Sequence, residues 1–241
     1  MQQPELNNQQ PVAEMSMVDH LQELRRRLII ASLAVGVASI GCFYFAEDLM
    51  RWITRPAGKL YYLNPAEGFF AYMKITVFAG FLLALPVVLY QAWAFVVPAL
   101  TRSERKLAII LVPVSVVLFF VGLTFSYFLV LPVALKFFMG FANESLQPLL
   151  SLGQYLSFVL SMLLPFGFIF ELPLILFVLA KLGVISSAFL AAKRKIALLL
   201  AFVAGGVISP TPDLFGQVML AVPLLLLYES SIWMVKTLLK K

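Results

Sequence analysis

Residues 155–180 read YLSFVLSMLLPFGFIFELPLILFVLA, 26 residues with a single charged side chain, Glu171. A helix needs about 20 apolar residues to cross a hydrocarbon core of ~30 Å. A carboxylate placed at that depth costs roughly 2.5–3.5 kcal/mol or more, so it is rarely left without a partner or a task. This one run therefore demands a membrane-spanning helix with a polar point inside it.

Five further apolar runs share the pattern, and together they cover about 28–46, 69–97, 107–135, 155–180, 196–208 and 214–235. The expected fold is an all-α polytopic membrane protein with six transmembrane helices. Pro86, Pro113, Pro132, Pro165, Pro173 and Pro223 lie within the runs, where each removes a backbone donor and tends to kink its helix. Kinked helices predict a concave, cup-like wall rather than a straight bundle. The fifth run has only 13 residues, about 20 Å of helix. With the Ser-Pro-Thr-Pro-Asp turn at 209–213 behind it, runs five and six are expected to form a short hairpin, its mismatch absorbed by tilt, thinning or a partner. No clear internal repeat is present.

The polar stretch 1–18 is expected to be a disordered cytoplasmic tail, and 19–241 a single six-helix transmembrane domain. Arg25, Arg26 and Arg27 before an apolar run superficially resemble an export signal. The run is too long for that, and no small-residue cleavage site follows, so an uncleaved first span is expected. Six spans place thirteen of the 18 Lys and Arg on the side of the termini, which puts both termini in the cytoplasm.

Composition removes several chemistries. One cysteine (Cys42) and one histidine (His20) exclude a disulfide framework and a Cys/His metal or haem cluster. The net charge of +6 sits in short runs between apolar segments, an arrangement of topology rather than of nucleic-acid binding. No HExxH or GxSxG occurs, and His20 lies outside the apolar runs, so no enzyme is expected.

The polar residues near the spans have plain structural readings. Asp19 with Gln22 fits a helix N-cap and capping box, and Glu23 is spaced to pair with Arg27 at i,i+4. Glu104 is the one acid in a strongly basic loop. Asp213 fits the N-cap of the sixth span, and Gln217 fits a hydrogen bond to a neighbouring helix or a partner. Glu171 either braces helix packing or meets a polar group, on a partner helix or at Gln217. A sharper reading of Glu23 and Glu104 is a pair of acceptors for guanidinium groups.

Four motifs in fixed order carry a resemblance: HLQELRRR (20–27), LYQAWAFVVPALTRSERK (89–106), FELP (170–173) and SPTPDLFGQ (209–217). Together they resemble the C subunit of the twin-arginine protein translocase, the TatC family. The resemblance implies a receptor for signal peptides bearing adjacent arginines. It implies export of folded proteins driven by the proton-motive force, in the bacterial cytoplasmic (inner) membrane. The implied partners are those peptides, small single-span subunits of TatA/TatB type, membrane lipid, and further copies in homo- and hetero-oligomers. No nucleic acid and no cofactor are implied.

Residue by residue, Glu23, Glu104, Arg25 and Phe95 match the family's signal-peptide-binding positions. Glu171, Gln217 and Asp213 match intramembrane polar or partner-contact positions, and Pro56 matches a functional position in the first external loop. The competing reading is a proton-coupled secondary transporter of a small solute, for which Glu171 and Gln217 are the only pointers.

Overall fold

The computed structural model describes residues 17–96, 105–143, 149–209 and 213–239. The described residues form ten α-helices and no strand. Residues 1–16 of the expected tail lie outside them, and helix already begins at Met17.

The first span is α1, Met17–Phe43. A connecting segment follows, with α2 at Ala46–Thr54 and a 3-10 turn at Arg55–Ala57 that contains Pro56. The second span is α3, Pro65–Val96, 32 residues long. The third is composite: α4 (Arg105–Phe125), a π-turn (Ser126–Val130) and α5 (Leu131–Met139). The fourth is also composite, α6 (Leu152–Ile169) and α7 (Leu172–Lys181). A short helix α8 (Ser187–Ala192) leads into α9 (Arg194–Ile208), and α10 (Leu214–Leu238) closes the fold.

Five of these segments are long and apolar enough to cross a membrane. The expected fifth span, α9, has 15 residues, about 22 Å of helix, and falls short of a ~30 Å core. The sixth differs from expectation: α10 has 25 residues, about 37 Å, so shortness belongs to α9 alone. Tyr228, Ser231, Ile232 and Val235 are buried on α10 within the run, and the helix continues three residues past its end, to Leu238.

The prolines divide into two groups. Pro86, Pro113, Pro165 and Pro223 sit inside continuous helices. Pro132 and Pro173 stand just past interruptions. A proline cannot donate to the carbonyl four residues back. Before Pro132 the ladder widens to a π-turn, with Leu131 N–H donating to Ser126 O. Before Pro173 it tightens, with Glu171 N–H donating to Phe168 O at 3.1 Å.

Packing between spans depends on close backbone approach. A Cβ on Gly122 would collide with the Phe166 carbonyl, and one on Gly167 with the Phe119 ring. Phe119 and Phe166 are fully buried where α4 meets α6. Gly122→Ala is expected to destabilise the fold by about 1–3 kcal/mol, since backbone cannot retreat as a side chain can. Thermal unfolding in detergent checks this against Gly36→Ala, where nothing lies within 4 Å and no shift is expected.

The end of the fold that carries α2 is capped by local structure. Ala46, Met50 and Ile53 bury one face of α2. Its final carbonyls are satisfied from other elements: Tyr127 Oη donates to Trp52 O and Tyr155 Oη to Ile53 O, each at 3.0 Å. Tyr61 pairs with the 150–152 segment, Tyr61 N–H to Leu150 O at 3.0 Å and Leu152 N–H to Tyr61 O at 2.8 Å.

Candidate functional site

The N-terminal turns of α1 lie against the C-terminal turns of α3, where Glu23 and Phe95 of the expected site come together. Glu23 Oε1 accepts from Arg27 Nε at 3.0 Å and from Arg27 Nη2 at 2.5 Å. Arg27 Nη1 also donates to Gln91 Oε1 at 3.2 Å, which ties the pair to α3. Both charged side chains are about four-fifths covered, at 22% exposure each. Glu23 Oε2 is buried and has no hydrogen-bond partner among the described residues. A carboxylate oxygen in that position is costly to leave alone, and it is an acceptor in waiting.

One turn before Glu23, the His20 ring stacks on Phe95 of α3, with centroids 4.3 Å apart. This places Phe95 as an aromatic wall beside the acid. Arg25 is exposed and makes no ion pair among the described residues. Two residues from Glu23, it faces away from it. Glu104, the second expected acceptor, lies outside the described residues.

Gln91 was not singled out from the sequence. It is one of few polar side chains in the run 69–97, and that is the signal that would have found it.

Glu171 occupies the break between α6 and α7 and is 5% exposed. Neither carboxyl oxygen has a hydrogen-bond partner, and the side chain does not cap α7. The neighbouring Ser115 hydroxyl lies beside it without meeting hydrogen-bond geometry. Ser115 accepts instead from Trp93 Nε1 at 2.7 Å.

Nor does Gln217 meet Glu171. Gln217 Nε2 donates to the Phe202 carbonyl of α9 at 2.8 Å, and a Cβ on Gly205 would lie 2.6 Å from the Gln217 carbonyl oxygen. Gln217 therefore fastens α10 to α9 at a glycine contact. Asp213 caps α10, its Oδ1 accepting from Gly216 N–H at 2.7 Å. Pro56 forms the 3-10 turn after α2, away from Glu23 and Glu171 in sequence.

Two polar links went unread in the sequence. Arg194 at the start of α9 pairs with Glu229 of α10, Nε to Oε1 at 2.7 Å and Nη2 to Oε2 at 2.9 Å. Glu67 Oε1 accepts from the Ser151 hydroxyl and from Gly153 N–H at 2.6 Å, joining the start of α3 to the start of α6.

Residues 19–223 match the family model described as Sec-independent protein translocase protein (TatC). The chain is 39% identical over 226 residues to the Sec-independent protein translocase protein TatC of Carboxydothermus hydrogenoformans, covering 92% of this chain and 93% of that one. It is 43% identical over 235 residues to the protein of the same name from Aquifex aeolicus, covering 94% and 97%. Among solved structures, it resembles the crystal structure of a twin arginine translocase receptor TatC. The TM-score is 0.81 at 43% identity, over 92% of this chain and all of that one.

Proposed function

Since the chain belongs to the TatC family of Sec-independent protein translocase proteins, we propose that it receives twin-arginine signal peptides at its cytoplasmic face and scaffolds the export of folded proteins. It is a multi-pass membrane protein. Its place in this reading is the bacterial cytoplasmic membrane, with both termini in the cytoplasm and the proton-motive force as the energy source. Small single-span subunits and further copies of the chain complete the assembly.

The observation that carries the reading is the half-used carboxylate of Glu23. One oxygen holds Arg27, while the other is buried and unpaired. An incoming guanidinium supplies the donors that oxygen lacks. Arginine stays charged as it nears lipid, and its planar fork suits a carboxylate. Glu104 supplies the second acceptor in this proposal, so that two acids meet two arginines. Phe95 gives the apolar part of the peptide a surface, and the outward-facing Arg25 meets peptide carbonyls.

Glu171, Gln217 and Asp213 are assigned to contacts with partner helices. The short α9 leaves room beside α10 for one, and Pro56 sets the exit of the chain from α2. The concave, cup-like wall remains part of this proposal. A small-solute transporter has no support: Gln217 gives its amide to α9 rather than to a shared site with Glu171.

Membranes containing the chain should bind a twin-arginine peptide at least tenfold more tightly than its twin-lysine counterpart, because lysine offers a point charge in place of a fork. Equal binding in a peptide-crosslinking or fluorescence assay overturns the reading.

A further inference from the structure

Glu67 and Lys74 are seven residues apart on α3, about two turns, so they share one face. That face and α6 line a groove of about 780 Å³, with Glu67, Phe70, Lys74, Gln154 and Ser157 in its walls. Lys74 also heads a second groove of about 480 Å³, wholly apolar apart from the lysine, along Val35, Val77, Phe81 and Leu164. The two share Lys74 as a wall, with polar lining toward the start of α3 and apolar lining beyond.

Lys74 lies nine residues past Pro65, ~14 Å along the helix. An ammonium at such a depth ordinarily pairs with an acid or snorkels to the interface. Lys74 Nζ donates to Ser157 Oγ at 2.8 Å and has no carboxylate partner among the described residues. Of its three donors, two remain. Glu67 accepts from Ser151, Gly153 and Leu63, the last at 2.7 Å. The Asn64 backbone N–H is a fourth donor to it, so its roughly four acceptor positions are taken and what Glu67 offers the groove is its negative charge.

We propose that this groove seats one zwitterionic phospholipid of the phosphoethanolamine class. Its phosphate lies on Lys74, its ammonium reaches outward to Glu67, and an acyl chain follows Val77 and Phe81. The order of the charges selects the headgroup. The base lies deeper and the acid nearer the surface, as phosphate and ammonium do in that lipid. A phosphatidylglycerol headgroup satisfies Lys74 but offers Glu67 no cation. That the seat belongs to the external leaflet rests on the orientation proposed above, whereas the seat itself does not.

The test uses the full chain, purified and delipidated in detergent, then titrated with palmitoyl-oleoyl phosphatidylethanolamine or phosphatidylglycerol and weighed by native mass spectrometry. One phosphatidylethanolamine should be retained at a concentration at least fivefold lower than phosphatidylglycerol. Lys74→Met should remove that preference, and Lys74→Arg should keep it. Val77→Trp should lower retention at least fivefold by filling the apolar slot, while Val203→Trp, equally exposed on α9, leaves it unchanged. Equal retention of both lipids, or an unaltered preference in Lys74→Met, overturns the proposal. So does a chain that holds neither lipid yet crosslinks from Val77→Cys to a single-span subunit, since the groove is then a helix-docking site. No readout here involves a signal peptide, so failure of the receptor reading stays separate.

Discussion

Glu104→Lys is expected to weaken binding of a twin-arginine signal peptide by 100-fold or more, and Glu23→Gln by about tenfold. The charge reversal does two things. It removes one of the two proposed acceptors, and it sets a cation against a cation, a juxtaposition that costs several kcal/mol. A hundredfold loss corresponds to about 2.7 kcal/mol, well inside that range. Glu23→Gln is milder because the amide keeps one acceptor oxygen. What disappears is charge assistance, roughly 1.5–3 kcal/mol for a hydrogen bond to an ionised group. Arg27 keeps its bond to Gln91, so the helix seam should hold. Peptide affinity measured on purified membranes, alongside an unchanged unfolding temperature, separates recognition from folding. A Glu104→Lys chain that binds within threefold of the parent would remove Glu104 from the site.

Glu171→Leu should raise stability and lower transport in the same protein. Both carboxyl oxygens are buried without a partner, and such a group costs about 1–3 kcal/mol each time it stays unpaired. Leucine removes that cost, and in a segment already lined by Leu and Phe it fits the surroundings. The unfolding temperature should therefore rise by several degrees, at about 2–4 °C per kcal/mol for a chain of this size. Export of a reporter cargo should fall at least tenfold, since the polar contact available to a partner is gone. Glu171→Gln should keep most of the export, because the amide still offers hydrogen bonds. A Leu variant that exports normally would reduce Glu171 to a passenger, and one that loses stability would return it to a structural role.

Much of the fold could be read from apolar length alone. The run 69–97 became α3, and 107–135 and 155–180 became the two composite spans. Six prolines gave no guide to which would interrupt their helix. Four are carried through and two are not, because the outcome turns on whether neighbours can accommodate a freed carbonyl. The sixth span was expected to be short for a different reason: the turn at 209–213 coupled it to the 13-residue fifth run, although its own run, 214–235, already had the length of α10 to within three residues. Of the candidate site, the i,i+4 spacing of Glu23 and Arg27 was legible, since it is local to one helix. Gln91 was not, being 64 residues from the arginine it binds, and the emptiness around Glu171 is a property of packing that no linear pattern encodes.

The way α1 is attached has a consequence for how the receptor works. No described residue of α1 is buried, and it leans chiefly on α3, where Gly80 lets the backbone of Ser39 come close enough that a Cβ would lie 2.5 Å away. Lipid tails are as apolar as leucine, so a helix held by one seam exchanges protein neighbours for lipid at little cost. The element that carries Glu23 is thus a continuous helix attached to the body along a single seam. A peptide that grips Glu23 gains a lever, and a pull on it at the cytoplasmic surface is delivered along ~40 Å of helix to the opposite leaflet.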